Sequence, residues 1–272
     1  MFPTTNARIG AGGGPGGRVG SAIASASART GIGFDYLMSQ ARIESGFDPA
    51  AKARTSSATG LYQFIEQTWL GTVKDHGAKH GLGWAADAIQ RRSNGHYSVA
   101  DAATRRAILD LRNEPEAASA MAAEYAADNR AYLESNLGRP VEDVDLYLAH
   151  FLGAGGAGQF LAAYDADPST VAASILPDAA RANRSVFYRE DGSARSVAEI
   201  RNNFAEKLGG GAAVPFETYA QAMPLAPLSG MPARFTRASA AEEDSGIRPI
   251  ASPKAEYARI AYEMLSKIGS QA

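Results

Sequence analysis

Cysteine is absent from the 272 residues. That removes disulfides, thiol nucleophiles and cysteine metal sites from consideration. No apolar run approaches the roughly 18–20 residues of a bilayer span, so no membrane segment is expected. The formal net charge is -2 and no basic block stands out, which speaks against a nucleic-acid footprint. The opening MFPTTNARIGAGGGPGG has no apolar centre of the kind a Sec signal peptide carries. A cytoplasmic start, or export by a route the sequence does not reveal, is the expectation. Alternating β-branched runs are scarce, and that scarcity makes the expected class mainly α.

What is present is enough hydrophobic content, 45%, for one sizeable core with an appendage. Residues 1–20 are Gly-, Ser- and Ala-rich and read as a flexible lead-in. The main domain is expected over 21–208. Within it FDYLMSQARI (34–43) spaces its apolar side chains by three and four, as a half-buried helix requires. Further helices are expected at 64–77, 101–113, 115–138 and 141–152. The 115–138 segment has the fullest punctuation, with Pro115 opening it and Gly138 and Pro140 closing it. One or two more helices fit 166–208, the clearest beginning near Ser196. Proline, glycine and serine then crowd 209–252, which reads as a disordered linker. A last amphipathic helix is expected at 253–269, docking on a partner or on the main domain.

Several chemistries fail on spacing. His76 and His80 stand four apart, as metal ligands on a helix do, but Gly77 and Gly81 weaken a helix there. They read as two solvated histidines near a helix end, and no metal is expected. The glycine clusters at 10–17 and 153–158 follow no strand and lack the Gly-Lys-Ser/Thr of a phosphate loop. The first reads as a mobile tail and the second as a tight turn between helices. No nucleophile-elbow pattern accompanies the histidines.

One glutamate is oddly placed. Glu44 falls in the last turn of the 34–43 helix, just before the stop at Gly46, where a helix C-terminus disfavours a carboxylate. Asp48-Pro49 follows, reading as an N-cap and first-turn proline of the next segment. After a polar stretch come Thr59-Gly60-Leu61-Tyr62-Gln63-Phe64 and Glu66-Gln67-Thr68-Trp69. A helix end and an apolar pocket both favour the neutral form of a carboxyl, which suits a proton donor.

In order and spacing, ESGFDP (44–49) and GLYQF (60–64) resemble the soluble lytic transglycosylase (SLT) domain family of the lysozyme-like superfamily, with Tyr62 at the commoner methionine. A third family element, Ala-Tyr-Asn-Ala-Gly, has its nearest counterpart at 149–155, where Phe151 and Leu152 replace Tyr and Asn. The resemblance spans about residues 30–165. It implies a lysozyme-like helical domain that cleaves peptidoglycan glycan strands without metal or cofactor, as a carbon–oxygen lyase of the periplasm or cell envelope. Glu44 is then the acid that protonates the departing N-acetylglucosamine oxygen and later the base that takes the proton of the muramic acid C6 hydroxyl. Ser45, Gly60, Leu61, Tyr62 and Gln63 are the implied substrate-binding residues, with Phe151 at the family tyrosine and Tyr147, one turn earlier, in a position to substitute for it. Two rival functions stay open. One is lysozyme-like hydrolysis; the other is an impaired wall-binding module that joins a flagellar or secretion apparatus through its last helix.

Overall fold

In a computed structural model, residues 17–54 and 56–210 are described. Among them the apolar spacing becomes eleven α-helices and one small hairpin. Helix α1 (Arg18–Thr30) begins inside the stretch read as a lead-in, and buries Ile23 and Ala26. Helix α2 (Phe34–Ser45) ends at Gly46. Helices α3 (Glu66–His76) and α4 (Gly83–Ala88) are joined through a 3-10 turn, Gly77–His80. Strands β1 (Ile89–Arg91) and β2 (Tyr97–Val99) pair antiparallel, with Ile89 opposite Val99. The segment expected as one helix at 101–113 is α5 (Ala102–Asp110) followed by a 3-10 turn, Leu111–Asn113.

Helix α6 (Pro115–Leu137) is buried along most of its Ala-rich length. Alanine gives it high helix propensity and lets α1 and α7 approach closely. Helix α7 (Asp143–Ala166) runs well past the end expected at 152. The glycine cluster at 153–158 is therefore not a turn between separate helices. It holds a one-residue kink at Gly153, with φ 74 and ψ 155, a conformation that only glycine adopts without strain. Three short helices, α8 (Ala172–Ile175), α9 (Pro177–Ala182) and α10 (Arg184–Phe187), precede α11 (Val197–Gly209). A capping box between Ser196 and Glu199 starts α11.

The core is continuous. Trp69, Tyr62, Phe160, Phe187 and Leu37 are among its fully buried side chains, and α6 lies between α1 and α7. Helix α11 packs on both α7 and α2. Two interactions fix it there. Arg201 reaches Asp145, which is wholly buried and also meets Arg139. From the other side Arg42 of α2 donates to the Lys207 carbonyl at 2.8 Å, satisfying an orphan acceptor of the last turn of α11. The linker expected from residue 211 onward, the helix expected at 253–269 and residues 1–16 of the expected lead-in lie outside the described residues. No described helix is long and apolar enough to cross a membrane.

Candidate active site

Helix α2 delivers Glu44 to the core side of its last turn, where the residue is 8% exposed. The helix stops because Gly46 turns left-handed and its N–H returns to the Arg42 carbonyl. Asp48 does not cap a new helix. Its side chain accepts from the Ala50 N–H at 2.8 Å, an Asx turn at Asp48-Pro49, and no helix starts there. The chain then loops back, and Ser45 Oγ contacts the Leu61 carbonyl at 2.9 Å. That bond joins the helix bearing Glu44 to the Gly60–Gln63 turn.

The turn is held from within. Gln63 donates from Nε2 to the carbonyls of Gly60 and Ala51, at 2.9 and 3.1 Å. Arg112 donates to the Ser57 and Phe64 carbonyls. Gly60 lies so close to the Arg112 carbonyl that an added Cβ would sit 1.9 Å from the oxygen. Among the described residues only Phe47 and Gln63 are non-glycine positions with positive φ. One lies in each motif, and such strain persists only where neighbours over-determine it.

Across the core, α7 brings two side chains to the same carboxyl oxygen. Tyr147 donates its hydroxyl to Glu44 Oε1 at 3.3 Å, and His150 Nε2 lies 3.2 Å from that same Oε1. The two residues are three apart on one helix face, and their rings stack with centroids 6.0 Å apart. Burial first, and then the nearby Glu44 carboxyl, push the Tyr147 phenol well above its ordinary range. Burial does the same for Tyr36, with Asp143 and Glu44 adding to it. Tyr147 therefore stays protonated and remains a donor.

The family model of the transglycosylase SLT domain matches residues 21–87. That family belongs to the lysozyme-like superfamily, and the match covers about a quarter of the 272 residues.

Glu44, Ser45 and the Gly60–Gln63 turn lie within the SLT match, whereas Tyr147 and His150 come from a helix beyond it. Helix α11, further still, closes the back of the site. Phe204 packs against both Tyr147 and Phe151, with ring centroids 5.5 and 5.1 Å away. Phe151 thus belongs to the packing between α7 and α11. Beside Tyr147, the α7 residue that meets Glu44 is the neighbour of Phe151, His150, to which the sequence assigned no role. The signal available was its i+3 spacing from Tyr147.

Tyr62 and Phe64 are both buried, and Phe64 meets Trp69 edge-on. Leu61 is likewise core, so it enters the site through its carbonyl alone. The loop beyond is carried by α3, where Gln67 exchanges two hydrogen bonds with the Tyr97 backbone. Trp69 donates to the Ile108 carbonyl at 2.7 Å.

His76 and His80 are not solvated. His80 is buried against Glu124 at 2.7 Å, and His76 bridges Asp128 at 2.7 Å and Glu124 at 3.2 Å. Both oxygens of Glu124 and Oδ2 of Asp128 meet ring nitrogens, tying the end of α3 and the 3-10 turn to α6. Among the described residues no group of three or more His, Asp or Glu side chains is arranged to hold a metal ion.

Proposed function

We propose that the chain cleaves peptidoglycan glycan strands by lytic transglycosylation, with Glu44 as the single acid and base. The observation that carries this reading is the environment of Glu44: buried at a helix end, tied through Ser45 to the glutamine-bearing turn, and held at Oε1 by a phenol and an imidazole. An SLT domain supports peptidoglycan as the substrate class.

Glycosidases commonly use two carboxyl groups, one as acid and one as nucleophile or base. The contacts of Glu44 among the described residues include no carboxylate. Asp48, the nearest in sequence, is exposed and spends one oxygen on its own Asx turn. A lone carboxyl suffices when the sugar provides its own nucleophile. Glu44 gives its proton to the glycosidic oxygen as the bond from C1 of N-acetylmuramic acid breaks. The C6 hydroxyl of that sugar then attacks C1, and its proton passes to the Glu44 carboxylate. The product ends in a 1,6-anhydro ring, no water is consumed, and the acid is restored.

The binding-module alternative rests on the departure at Phe151. The Tyr147 and His150 contacts to Glu44 weigh against it, because they bring polar groups to the acid from the same helix. Mass analysis of the muropeptides released from sacculi tests the proposal. Anhydro ends are expected from the wild type, and no release from Glu44→Gln. Reducing ends select hydrolysis instead; binding to sacculi without release selects the wall-binding module.

A further inference from the structure

Glu44 Oε1 receives both side chains that α7 presents, and neither contact touches Oε2. A carboxylic acid that donates its proton has two unlike oxygens: one bears the hydrogen and the other is a carbonyl acceptor. Two neighbours on one oxygen therefore select which is which. Tyr147 keeps its proton, so it is a donor and marks Oε1 as the acceptor. We propose that His150 is a second positioning residue, donating from Nε2–H to the same Oε1 so that the transferable proton resides on Oε2.

The inference rests on the reading of Glu44 as the acid. Its consequence lies in the timing of charge. When Oε2 releases its proton to the leaving oxygen, Glu44 becomes a carboxylate. The hydrogen bonds at Oε1 then become charge-assisted and roughly double in strength. Both donors are in place beforehand, since Tyr147 is braced by Phe204 and His150 is stacked on Tyr147. They stabilise the transition state more than the ground state, which raises kcat without tightening substrate binding. His150 itself carries no proton to the substrate and touches no reacting sugar atom in this account. Upon the second proton transfer, from the C6 hydroxyl to Oε2, the bonds relax to their original strength.

The substitutions separate this role from packing. His150→Phe keeps a ring to stack on Tyr147 and removes the donor; His150→Gln restores an amide N–H at about the reach of Nε2. On solubilised glycan strands, His150→Phe is expected to lower kcat about ten- to hundredfold with KM little changed. His150→Gln is expected to recover most of that loss. Unchanged kcat in the Phe variant, a change confined to KM, or a Gln variant as slow as the Phe variant overturns the proposal.

Proton NMR of the full chain gives a readout that does not require turnover. An imidazole N–H protected from exchange, missing in His150→Phe and shifted or lost in Glu44→Ala, is expected. Such a proton insensitive to Glu44→Ala, or its absence from the wild type, contradicts the contact. If the wild type yields no anhydro ends while this proton behaves as expected, the transglycosylase reading fails and the His150–Glu44 clamp survives.

Discussion

Ser45 Oγ lies 2.9 Å from the Leu61 carbonyl and 3.0 Å from the Ala41 carbonyl of its own helix. One hydroxyl thereby spans the helix end that bears Glu44 and the turn that bears Gln63. The serine next to the acid is accordingly a brace between two segments, and its removal acts on geometry. Ser45→Ala is expected to cost about 1 kcal/mol of stability, and to lower muropeptide release by more than that loss explains. A thermal melt paired with an activity assay checks this. Full activity at reduced stability would show that the brace does not set the acid's position.

Gly60 is the position in the turn that tolerates least. Its φ is +82 and an alanine Cβ there meets the Arg112 carbonyl oxygen. Both atoms in that clash are fixed to backbone, so no side-chain rotation relieves it. Gly60→Ala should lose at least about 2 kcal/mol in a denaturant titration. A neutral result would mean that the turn and the 3-10 segment at Leu111–Asn113 separate easily.

Asp145 is buried without exposure and receives Arg201 at 2.9 Å and Arg139 at 3.1 Å. Replacing Arg201 by alanine strips half of that compensation and also loosens the helix that sets Phe204 on Tyr147. A loss of about 3 kcal/mol is expected. Replacing the exposed partner Glu142, 3.0 Å from Arg201 and also the N-cap of α7, should cost about 1 kcal/mol, most of it from the lost cap. Equal costs for the two would contradict the importance assigned to burial.

His76 gives a pH signature. Burial opposes its charged form, but the hydrogen bond and charge of Asp128, together with Glu124, outweigh burial and raise its pKa. A histidine whose folded value exceeds the unfolded one stabilises fully below about 6.5, and that stabilisation fades as pH rises through the raised folded value. The stability difference between wild type and His76→Asn should therefore be larger at mildly acid pH than at alkaline pH. A difference that grows with pH would reverse the sign of this coupling.

Local signals carried most of the helical architecture. The three- and four-residue spacing in 34–43 and the Pro115 to Gly138 punctuation mark helices whose ends are set by neighbouring backbone. The Glu44 placement was equally legible, because a charge at a helix end is a property of a few consecutive residues. What escaped depends on chain crossings over long distances. His150 meets Glu44 across more than a hundred positions, and the partners of His76 and His80 are acids on α6. Helix α11 could be found by its capping box, but nothing in it announces that Phe204 rests on Tyr147. The glycine run in α7 misled because a kink and a turn draw on the same residue type.

Transglycosylation by a lone Glu44 requires that the sugar, not water, attack C1 after the proton has been given up. Digesting sacculi in water enriched in the heavy oxygen isotope tests that step directly. The account predicts cleaved muramic acid ends carrying no label, and no cleavage at all by Glu44→Gln. Heavy oxygen incorporated at C1 during cleavage, or release that persists in the glutamine variant, would contradict it.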